Sequence, residues 1–168
     1  MHPSVYPAPH VVSGFTLVEL LVTLSVLAML AVVGVPAWQG LVETHRISAD
    51  VRSVQQALLY ARNQAVTRGQ EVSVCAAGGG AHVCGEKHDW KQGWVVFSGD
   101  DESVGTVLRV GERLGAHSVT AGRAKAVFNA RGEARGSNGS WHFCAGGAGR
   151  SLILSSSGRL RQTTADCS

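Results

Sequence analysis

Between Phe15 and Trp38 the chain runs for 24 residues with Glu19 as its only charge. A helix apolar on every side is buried in a large core or in a bilayer, and the first forty or so residues do not look like part of a soluble core. At ~1.5 Å rise per residue the segment is long enough to cross a hydrocarbon layer of ~30 Å. A secretory signal would place a basic region first, a shorter apolar run second and a cleavage site after it. Here the processing candidate, Gly14-Phe15, precedes the apolar run, so a cut there leaves the helix in the product. A carboxylate in hydrocarbon needs a partner or an interfacial position. Two readings of Glu19 follow: it reaches the headgroups and complements the positive end of the helix dipole, or it pairs with a free α-amino group at Phe15 of a neighbouring copy.

Beyond Trp38, Ile47, Val51, Val54, Leu58, Ala61 and Ala65 recur at intervals of three and four, one apolar stripe on a second stretch of helix. Arg46, Asp50, Arg52, Gln56 and Arg62 are assigned to the opposite, polar face, and Gly69 is the expected stop. After it the pattern changes to short runs rich in Val, Leu, Phe and Trp between glycines: EVSVCA, GWVVFS, TVLRV, KAVFNA, SWHFCA and RSLILSSSG. These read as strands joined by turns. The expected organisation is therefore a membrane helix over 15–38, an amphipathic helix over 39–68 and a β-rich head over 69–168, an α+β protein with the helix packed on an antiparallel sheet. Trp90, Trp94 and Phe97 are assigned to the core of that head rather than to base stacking.

Four cysteines in a membrane-directed chain favour disulfides, with three connectivities open. We favour Cys75 with Cys84, closing a short Gly-rich loop, and Cys144 with Cys167, tying down the tail. A metal reading would use Cys75, His82, Cys84 and His88, but the paired C-x-x-C spacing of a zinc site is missing. No metal or other cofactor is expected. The histidines are scattered and no nucleophile, base and orienting group share a recognisable context, so no enzymatic role is expected either.

Charge is uneven. Residues 103–168 hold nine basic and three acidic side chains, and eight of the nine are arginine, whose fork suits phosphate oxygens. In GRLR, Gly158 marks a turn, and Arg159 and Arg161 stand two apart, on one side of a strand. Arg123 and Lys125 repeat that spacing, and Arg131, Arg135 and Arg150 add further charge. Taken alone, such a pair reads as a hydrated edge strand protected from aggregation.

GFTLVELLVTLSVLAML resembles the processing site and N-terminal helix of type IV pilins and type II secretion pseudopilins. The resemblance implies a leader over 1–14, cleavage after Gly14 by a prepilin peptidase, and N-methylation of Phe15. It gives Glu19, fifth after the cut, the task of pairing with a neighbouring N-terminus during assembly, and makes Pro36 the place where the packed helix loosens. The leader departs from the pattern in lacking Lys and Arg, so the positive-inside rule says little about orientation. VSVCAAGGGAHVCGEKHDWKQGWVVFSGDD, AVFNARGEARG and LILSSSGRLRQ resemble the head of the GspH/FimT family. That implies a type IV pilin-like fold, an inner-membrane subunit with its head in the periplasm, and later incorporation with other pilins into an extracellular pilus. Members that act in natural transformation carry Gly-Arg-x-Arg near the C-terminus to hold DNA, and Gly158, Arg159 and Arg161 match it. The alternative from the same resemblance is a structural subunit without DNA binding, either a type II secretion pseudopilin or a minor pilin that primes assembly.

Overall fold

The computed structural model describes residues 15–78, 83–85, 88–101 and 105–167, apart from the side chains of 33, 36 and 37. Gly14 and the rest of 1–14 lie outside the described residues. The first element, α1 (Leu17–Arg68), is 52 residues long. Thr16 caps it: the Glu19 backbone N–H donates to Thr16 Oγ1 at 3.2 Å. Glu19 is thereby fixed in the first turn, where its charge complements the exposed N–H groups of the helix start. α1 runs through Gly34 and Pro36 as one element. A proline removes a single donor, and in so long a helix the ladder continues on either side of it. Gly69, at φ +66°, ends α1 in the left-handed conformation that glycine accepts without strain.

The chain divides after Gln39 into two compact units. In the first, every side chain from Phe15 to Val32 is exposed. Counted over described residues alone, no helix is long and apolar enough to cross a membrane. The sequence itself stays uncharged from Leu20 through Val42.

The second unit, Gly40–Ser168, holds the rest of α1 and two four-stranded antiparallel sheets. The strands are β1 (Val72–Ala76), β2 (Trp94–Ser98), β3 (Val107–Gly111), β4 (Ser118–Ala121), β5 (Lys125–Phe128), β6 (Gly139–Ala145), β7 (Ala148–Leu154) and β8 (Leu160–Thr164). One sheet has the order β3-β2-β1-β5, the other β4-β6-β7-β8, so β8 is an edge. The six stripe residues from Ile47 to Ala65 are all buried, against Val72, Val74 and Val96 of the first sheet and Trp141, Phe143, Leu152 and Leu154 of the second. Burial of these side chains, worth about 1.5–3 kcal/mol for each large one, drives the docking of helix on sheets.

Asp50 does not belong to the polar face. It is buried, and its carboxylate accepts the backbone N–H groups of Gly115 (3.1 Å) and Ala116 (2.6 Å) in the β3–β4 connection. Other polar groups of α1 hold strands: Ser53 Oγ accepts Trp94 Nε1–H of β2 at 3.0 Å, and Gln55 Oε1 accepts Gln162 Nε2–H of β8 at 2.6 Å. Strand β4 is absent from the sequence expectation. It is four residues long, with only Val119 and Ala121 turned inward, too short for its alternation to stand out.

β1 is buried on both faces: α1 covers one, and on the other Cys75 clusters with Ala77, Val95 and Phe97, with Cys84 packed against them. Both favoured disulfides form, Cys75–Cys84 and Cys144–Cys167. The first consumes the thiols that a metal would have used. Trp90, Trp94 and Phe97 are buried as expected, Trp90 meeting Trp141 edge to face at 5.3 Å.

Candidate nucleic-acid interface

The β7–β8 hairpin turns over Ser155–Gly158. Gly158 N–H donates to Ser155 O, and Ser155 N–H to Arg159 O, both at 2.9 Å, while Ser155 Oγ accepts Arg159 N–H at 3.0 Å. Gly158 has φ +77°, and a Cβ there would run into the carbonyl oxygen of Gly132. Its own carbonyl accepts Arg62 Nη1–H at 3.2 Å, so α1 holds the turn from beneath. Leu160 packs against the core, which sends its neighbours Arg159 and Arg161 to the other side, where both are exposed. Arg161 stands opposite Ile153, on the sheet face away from buried Leu152 and Leu154. The same face carries His142, hydrogen-bonded to Ser151 Oγ at 2.7 Å, with Thr120 and Thr163 in the same row.

A second loop is fastened to this turn. Asn129 Oδ1 accepts the N–H groups of Arg131 (2.9 Å) and Glu133 (3.1 Å), folding 129–133 back on itself. Ala134 N–H donates to Ser156 O at 2.9 Å. Arg131 and Arg135 are thus carried to the end of the sheet where Arg159 leads into β8. Both pair with one carboxylate: Glu133 Oε2 is 3.3 Å from Arg131 Nε and 3.2 Å from Arg135 Nε. Asn129 Nδ2 donates to the same oxygen at 3.2 Å. That amide bond is the largest influence on the Glu133 carboxyl; desolvation comes next and opposes it, and the charges of Arg135 and Arg131 add to the amide bond, so the carboxyl lies below its ordinary pKa. The two guanidinium groups stay accessible, their side chains 75% and 72% exposed.

Other expected cations are elsewhere or otherwise engaged. Lys125, on edge strand β5, makes an ion pair with Asp100 at 2.6 Å beside the Cys75–Cys84 bridge. Arg123 donates to Asn138 O at 2.9 Å. Arg150 pairs in register with buried Phe143 and so lies on the opposite face of β7 from the row containing Ile153 and Arg161. Among the described residues no carboxylate is within ion-pair distance of Arg159 or Arg161. The Cys144–Cys167 bridge anchors the end of the segment that follows β8, crossing Gly149, where a Cβ would collide with Cys167 Sγ.

Residues 50–158 match the family described as Type II transport protein GspH, well over half of the chain. Residues 10–35 match the prokaryotic N-terminal methylation motif. The fold is similar to two crystal structures of the type IV minor pilin FimU of Pseudomonas aeruginosa strain PAO1. The form in space group P21 shares 22% identity over 72% of this chain and 90% of that one, with a TM-score of 0.59. The P65 form gives 20% identity, 69% and 91% coverage and a TM-score of 0.57. No curated protein matches the chain.

Proposed function

The chain belongs to the GspH family of type IV pilin-like proteins, and from that membership we propose that it is a minor pilin that holds DNA through the β7–β8 hairpin during uptake. The observation that carries the reading is that Arg159 and Arg161 leave one sheet face beside the Gly158 turn, both exposed and without a carboxylate partner among the described residues, whereas Lys125, Arg131 and Arg135 are paired with acids. Gly158 supplies the turn that lets two guanidinium groups leave one sheet face together. Such groups contact phosphate oxygens without reading bases, so binding is weak, indifferent to sequence and sensitive to salt.

In this reading residues 1–14 are a leader removed by a prepilin peptidase, and Phe15 becomes the methylated N-terminus. Residues 15–38 anchor the subunit in the inner membrane before they pack among other pilins, with 39–68 and 69–168 forming the head in the periplasm and then in the pilus. Glu19 pairs with the N-terminus of a neighbour as the fibre grows, and the helix around Pro36 loosens there. No catalytic step is assigned to any residue.

The test is titration of labelled duplex DNA with the full chain in neutral detergent. Arg159→Gln with Arg161→Gln should weaken binding at least about tenfold at low salt and reduce the log-log salt slope by about 1.8, two phosphate contacts' worth, with an unchanged melting temperature. Equal binding by parent and double variant would leave a structural pseudopilin or an assembly-priming subunit as the function.

A further inference from the structure

Glu133 sits between two guanidinium groups. Its Oε2 lies between the Nε atoms of Arg131 and Arg135, and Arg135 Nη2 also donates to Oε1 at 3.3 Å. The loop that carries this trio is fixed to the β7–β8 turn by the Ala134–Ser156 hydrogen bond, by the contact of Gly158 with the Gly132 carbonyl, and by Arg62, which reaches under both glycines. The arginines remain largely exposed, so an incoming polyanion can reach them without unfolding the loop.

We propose that Glu133 is a built-in competitor: a carboxylate that occupies Arg131 and Arg135 in the free subunit and gives them up to the phosphodiester backbone of bound DNA. This rests on the hairpin of Arg159 and Arg161 being the primary DNA contact, and adds to it a second pair of cations whose availability Glu133 controls. A carboxylate presents two acceptor oxygens to guanidinium, as a phosphate does, so the exchange replaces one charge-assisted pair by another. Because the pairs broken and formed are alike and both exposed, the net gain per arginine is small. The device therefore lowers affinity and speeds release. It also keeps the basic end of the head from attaching to other anions while unoccupied. The loop is preorganised for either partner, since its shape is set by Asn129 and the backbone bonds to the turn rather than by Glu133 itself.

The experiment compares the full chain in neutral detergent with Glu133→Gln, which keeps an oxygen to accept the Asn129 amide. At about 50 mM salt Glu133→Gln should bind duplex DNA about fivefold more tightly, with the gain shrinking as salt rises. In a background of Arg131→Gln with Arg135→Gln the same change should give no gain. Glu112→Gln, which removes an equal charge at an exposed site elsewhere, should give less than about twofold. Arginine Nε resonances of Arg131 and Arg135 should shift when DNA is added to the parent protein. A gain that persists without the two arginines, a matching gain from Glu112→Gln, or unmoved Arg131 and Arg135 resonances would overturn the proposal. Arg159→Gln with Arg161→Gln separates the two ideas: if that pair abolishes binding while Glu133→Gln changes nothing, the hairpin stands and the competitor falls; if that pair changes nothing, the primary reading falls.

Discussion

Gly158 answers to three demands at once: a left-handed backbone, a close approach to the Gly132 carbonyl, and a carbonyl presented to Arg62. Gly158→Ala should cost about 1–3 kcal/mol of stability, because both the conformation and the space are wrong for a methyl group. It should also weaken DNA binding, by misdirecting Arg159. Urea denaturation read alongside a binding titration checks both; a fully stable variant would mean that the turn relaxes freely. The glycine and the two arginines were legible as GRLR. Arg62 was not, since on a helical wheel it is one more cation beside the apolar stripe, and its partner is 96 residues further on. Glu133 was hidden for the opposite reason: ARGEARG reads as a basic run, and only the folded loop shows that its acid holds both neighbouring arginines.

At the scale of elements, α1 works as a rack on which loops and strands are hung by single polar side chains. Asp50 is the most exacting of these, since it alone among them is buried and charged, and it accepts two backbone N–H groups at once. Asp50→Ala should destabilise the second unit by about 3 kcal/mol, and Asp50→Asn, which keeps one acceptor, by less. Denaturant midpoints of the two variants measure the difference, and near-parent stability of the alanine form would show water taking over the role. The sequence carried a signal for Asp50 that a binary reading discards: it is three residues after Ile47 and four before Val54, on the apolar stripe itself. The strands with strong β-branched or aromatic runs were readable with errors of a residue or two at most ends, except that the run ending in SSSG carried β7 four residues too far. β4 was not, because its pairing with β6 rather than its own composition makes Ser118–Ala121 a strand.

For the whole molecule, the decisive residue is again an acid. Thr16 and the helix start account for Glu19 within one chain, so its conformation needs no neighbour. Its proposed role in assembly is a separate matter, tested by Glu19→Ala: membrane insertion should be retained, while incorporation into pili should fall below about a tenth of the parent, read by quantifying the subunit in sheared fibres. Normal incorporation would reduce Glu19 to a helix-start residue. The bridge that passes over Gly149 has a mechanical consequence once the subunit is imagined under tension. Strand β8 is gripped near one end by the turn that Arg62 supports, and beyond the other by a covalent clasp to β6. A pull delivered to Arg159 or Arg161 would therefore load the whole of β8 at once rather than one hydrogen bond at a time.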